Sequence, residues 1–157
     1  MTMTKEELAE KIEAHAKWLR TCFTNNVEGS RADLTGADLT DADLTGANLT
    51  RAELTDADLT RANLTRANLT DADLTRANLT GAYLTDANLT DADLTRANLT
   101  RAYLMGADLT DADLTRADLT GANLNIWNAS PFVFDALAAV SAAQIALKKT
   151  RIEWMNH

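Results

Sequence analysis

From Arg31 to Asn125 each alanine is followed two residues later by a leucine, and each leucine but the last is followed three residues later by an alanine. The segment is 19 consecutive pentads of the form x-Ala-z-Leu-Thr. Alanine holds every second position from Ala32 to Ala122, and leucine every fourth from Leu34 to Leu124. Threonine closes 17 of the 19, the exceptions being Met105 and Asn125. The first position is Arg, Asp or Gly throughout, and the third is Asp or Asn except at Glu53, Tyr83 and Tyr103.

A helix cannot use this pattern. Five residues turn it by about 500°, so successive leucines drift and no apolar face forms. In extended chain Ala and Leu, two apart, point to one side. The odd step of three to the next Ala would flip the apolar set outward unless the chain turned once per pentad. The third and first positions repeat at 20 residues: Tyr83 with Tyr103, Asn48 with Asn68 and Asn88, Arg76 with Arg96 and Arg116. Twenty residues over a period of five predict four faces per turn, hence about 4.75 coils in 95 residues and a length of roughly 23 Å.

These pentads resemble the pentapeptide-repeat family, whose pattern is A-(D/N)-L-x-x. The resemblance implies a right-handed quadrilateral β-helix. The expected fold class is therefore mainly β: a β-solenoid of about 4.75 coils, with an N-terminal helical cap and a C-terminal helix. Members of that family vary the residue after Leu. Near-uniform Thr here reads as a consensus-designed or engineered member.

The flanks read as caps, since a stack of turns exposes apolar core and unpaired edges at each end. In 1–30, Thr4 and Glu7 form a T-x-x-E capping box. Leu8, Ile12, His15, Leu19 and Cys22 follow as one helical stripe, and Asn25–Ser30 turns into the repeat. In 126–157, Ile126 and Trp127 are expected to cover the open end. Ser130 and Pro131 suit the start of a helix over Phe132–Lys149. That helix carries apolar residues on two sides, so one side is expected to meet a second copy. The expected homodimer interface is Phe132, Val133, Phe134, Leu137, Val140, Ile145 and Leu147. The domain reading is thus 1–30, 31–125 and 126–157.

Composition narrows the function. The 157 residues carry 15 Lys and Arg against 23 Asp and Glu, a net charge of −8, which argues against direct nucleic-acid binding. One cysteine excludes an intramolecular disulfide and a cysteine-cluster zinc site. No apolar run is long enough to span a membrane, and the charged N-terminus lacks a secretory signal, so a cytoplasmic setting is expected. His15 reads as a cap histidine bonded to backbone at the edge of the repeat, because no second ligand accompanies it. Cys22 reads as a packed side chain. The column Asp33, Glu53, Asp73, Asp93 and Asp113 reads as solvated positions without metal. Its mutual repulsion is expected to raise carboxylate pKa values and make the fold more stable as pH falls.

The expected function is a non-catalytic structural repeat scaffold with no cofactor and no catalytic residue. The alternative is an acidic, DNA-mimicking protein that binds a type II topoisomerase, as the resemblance implies for some family members. The pentads hold 16 acidic residues against 8 Arg, which suits the alternative, whereas the Arg76, Arg96 and Arg116 column does not. Tyr83, Tyr103 and Met105 break the pattern on one face. They read either as a partner-contact patch or as a stack-stabilising aromatic pair.

Overall fold

The computed structural model describes residues 3–125. The expected C-terminal cap, helix and dimer-interface residues all fall in 126–157, outside the described residues.

Helix α1 spans Lys5–Thr21. The Thr4 hydroxyl accepts from the Glu7 N–H at 3.1 Å, and the Glu7 carboxylate accepts from the Thr4 N–H at 2.8 Å. The capping box is thereby complete and satisfies two backbone donors left free by the first turn. Leu8 and Ile12 pack against the core, and His15 is fully buried.

All 19 leucines of the repeat are buried, and its alanines are buried except the half-buried Ala42, Ala47 and Ala107. Each pentad places its backbone donors in a fixed way. In the third layer the Leu74 N–H donates to the Asp93 carbonyl at 2.7 Å, and the Arg76 N–H to Thr95 at 3.0 Å. The Asp73 N–H donates the other way, to Ala52 at 3.0 Å. Between pentads the Ala77 N–H closes a turn onto the Leu74 carbonyl at 3.0 Å. The residue before that alanine adopts positive φ, as a type II turn requires. All eighteen first positions from Gly36 to Gly121 do so, with φ between 55° and 71°.

This arrangement corrects the expected fold class. Among the described residues, regular structure amounts to one helix and a two-stranded sheet. Strands β1 (Tyr103–Met105) and β2 (Asn123–Asn125) pair in parallel, Tyr103 opposite Asn123 and Leu104 opposite Leu124. The rest of the repeat pairs through isolated one-residue parallel bridges, from Asp33 with Glu53 to Asn98 with Asp118. A mainly β, closed multi-coil β-helix or solenoid is therefore not the fold described. The reason is local. Outside β1 and β2 only the third residue of a pentad meets a neighbour in ladder geometry, and the left-handed residue three positions on turns the chain before a longer strand can propagate. The 20-residue period survives as the spacing of the bridges.

Candidate functional site

Each pentad has one backbone donor not yet placed, the N–H of its last residue. At all fifteen third positions from Asp33 to Asp118 that hold Asp or Asn, the side-chain Oδ1 accepts this N–H from two residues on, at 2.8–3.2 Å. In several pentads the Thr hydroxyl donates to the same oxygen, as Thr70 does to Asn68 at 2.7 Å. Short polar side chains favour this local bond. The restriction to Asp and Asn was visible in the sequence; its purpose was not.

The aromatic exceptions form the most distinctive outward patch. Tyr83 and Tyr103 sit opposite each other across a parallel bridge. Their rings stack at 4.9 Å between centroids and 7° between planes. They are 45% and 43% exposed, and Met105 is 46% exposed beside them. Tyrosine offers no short-range acceptor, so the N–H groups of Thr85 and Met105 lack the bond their counterparts make. The structure thus brings together the three residues singled out in the sequence.

His15 closes the edge of the stack. Every later alanine of the repeat donates its N–H to the preceding pentad's Leu carbonyl. Ala32 has no preceding pentad, and its N–H donates instead to His15 Nδ1 at 3.0 Å. The Lys11 ammonium donates to the Asp33 carbonyl at 2.9 Å, and the His15 ring stacks on Trp18 at 5.6 Å. Burial lowers the His15 pKa against the opposing pull of the Thr50 backbone, and the nearby Arg31 charge lowers it further. The Cys22 thiol, half-buried, points at the Leu19 carbonyl.

Three members of the acidic column behave opposite to expectation. Asp33 and Asp113 have pKa values below the usual carboxylate range, because Thr35 and Thr115 donate to their carboxylates. At Asp73 burial pushes upward, but donation from Thr75 outweighs it and the pKa falls. At these three residues hydrogen bonds to the charged form prevail. Charges at first positions also pair across layers. Arg61 grips Asp41 through two bonds of 2.7 and 2.6 Å, and Arg76 grips Asp56 likewise. Arg76 is thus not simply part of a positive column. Among the described residues no group of three or more His, Cys, Asp or Glu is placed to hold a metal ion.

A family model described as pentapeptide repeats matches in eight copies, over residues 22–51, 30–66, 52–91, 62–101 and 87–125. The solved pentapeptide repeat protein Rfr23 of the cyanobacterium Cyanothece 51142 is 39% identical, at a TM-score of 0.55. The match covers 59% of this chain and 61% of that one, so this chain spans about three fifths of that relative's length. A pentapeptide repeat protein from Nostoc PCC 7120 is 30% identical over 90% of this chain and 96% of that one, with a TM-score of 0.52. One from the Arabidopsis thaliana thylakoid lumen is 32% identical over 71% and 74%, with a TM-score of 0.50. No curated protein sequence matches the chain.

Proposed function

The chain belongs to the pentapeptide-repeat family, whose proteins are generally structural and non-catalytic, and from that premise we propose that it is a structural repeat scaffold. One observation carries the reading: the recurrent residues of the pentad are occupied in holding the repeat together. Ala and Leu fill the core, and Asp or Asn binds the following backbone N–H. The first residue makes the left-handed turn. The uniform Thr, at 17 of 19 positions, supports the finer reading of a consensus-type, engineered repeat.

The scaffold is organised as 1–30, 31–125 and 126–157, resides in the cytoplasm and self-associates through Phe132–Leu147. The Tyr83, Tyr103 and Met105 patch serves as its outward contact surface. Light scattering at tens of micromolar tests the association; a one-chain mass removes it.

A second reading, a topoisomerase-binding mimic of DNA, draws support from the 16 acidic residues against 8 Arg in the pentads. A DNA gyrase supercoiling assay separates the two. The scaffold predicts unchanged supercoiling at micromolar protein, and inhibition there would replace it with the mimic.

A further inference from the structure

Tyr83 and Tyr103 are the only tyrosines in the chain. The fold holds them face to face, and both rings are open to solvent. Near-parallel rings at 4.9 Å favour reaction between them. The bridge between Tyr83 and Tyr103, with the Tyr83 N–H on Ala62 and the Tyr103 N–H on Ala82, both at 2.9 Å, fixes the two backbones in register. Holding two reactants at contact replaces a bimolecular encounter with an intramolecular step.

We infer that Tyr83 and Tyr103 form a site for intramolecular dityrosine cross-linking by one-electron oxidants. Each phenol gives one electron to the oxidant and releases one proton, leaving a phenoxyl radical with spin on its ortho carbons. The two radicals pair, forming one carbon–carbon bond between ortho positions. Each ring then passes the hydrogen of its bonded ortho carbon to its own oxygen, restoring two phenols. Two equivalents of oxidant are reduced by one electron each, and the protein loses two hydrogen atoms. The product is a covalent staple between neighbouring layers of the repeat. Met105 beside the pair is the competing target: two equivalents of the one-electron oxidant and one water convert its thioether to the sulfoxide, with release of two protons.

The test treats the full chain with two equivalents of hexachloroiridate(IV), a one-electron oxidant that works equally in urea. Dityrosine fluorescence and a tryptic map are read together. The expected product has the mass of one chain and links peptides 77–96 and 102–116, two hydrogens lighter than their sum. Its formation rate is independent of protein concentration and at least about tenfold faster than in the urea-unfolded chain. Tyr103→Phe and Tyr83→Phe each abolish the fluorescence, whereas Met105→Leu retains it. Dityrosine found only in covalent chain dimers, equal rates in folded and unfolded protein, or oxidation confined to Met105 would each overturn the proposal.

Discussion

The middle of the repeat and its first edge solve one problem with different chemistry. Around Leu74 the donors and acceptors come from the repeat itself: Ala77 onto Leu74, Asp73 onto Ala52, Leu74 onto Asp93. At the edge one acceptor is missing, and α1 supplies it as the Nδ1 of His15. The middle uses backbone groups that never titrate near neutrality. The edge uses an imidazole that must stay neutral to accept. A periodic interior is therefore insensitive to mild acid, while its terminus inherits the chemistry of whichever side chain completes it.

The largest expected break lies in the middle. Leu74 is fully buried with Leu54 and Leu94, so Leu74→Ala should cost about 2–5 kcal/mol. Thr75→Ala, at a half-exposed position, should cost much less. Comparable losses of the two in denaturant titrations would undo the inward and outward assignment.

At the edge, His15→Ala leaves the buried Ala32 N–H without an acceptor, a loss of about 1–3 kcal/mol. Hydrogen exchange at Ala32 should accelerate more than at Ala77, and equal protection at both sites would count against the capping role.

The same contrast has a pH form. The folded His15 pKa lies below its ordinary 6.5, so the unfolded chain takes up the proton first. Stability should be complete above about pH 6.5 and fall as pH drops through that value toward the folded pKa. The His15→Ala variant should lack this decline. A further loss is expected below the usual carboxylate pKa, as the depressed Asp33, Asp73, Asp113 and Asp118 are finally protonated. Thermal melts from pH 8 to 3 read both steps. A melting point that rose on acidification would restore the repulsion argument.

Within the middle, Asn68→Ala removes the acceptor for the Thr70 N–H at 3.0 Å and should cost about 1 kcal/mol. A natural comparison is Thr85, which follows Tyr83 and already lacks that bond. Exchange at Thr85 should be faster than at Thr70, and substitution of Asn68 should bring the two together.

The smallest effect concerns the turns. Arg66 sits at φ 59°, a conformation that strains a side-chain-bearing residue and suits glycine. Arg66→Gly should stabilise by at most about 1 kcal/mol. Arg76→Gly should gain less, since it also gives up the paired Asp56. A clear loss at Arg66 would mean that its side chain contributes more than its backbone costs.

Much of this was legible in advance. The burial of Ala and Leu, the 20-residue register and the Thr4–Glu7 box all follow from spacing alone, because they depend on which residues recur and how far apart. Two matters did not follow. Strand length depends on the φ of one residue per pentad, and Arg and Asp do not announce a left-handed conformation. Carboxylate pKa direction depends on whether a donor two residues away can reach Oδ1, which is a matter of ångströms. The capping role of His15, by contrast, was expected from its place on the helical stripe before the first pentad, and its bond to the Ala32 N–H bears that out.

The sequence by itself determined the period, the inward set and the helix start, since each is a property of order along the chain. Tertiary structure decided that pairing outside β1 and β2 lasts one residue at a time, and that hydrogen bonds hold the Asp33, Asp73 and Asp113 carboxyls below their usual pKa. The physical reason is common to both. Hydrogen bonds are made or lost over a few tenths of an ångström and a few tens of degrees, and spacing along a chain does not specify distances that short.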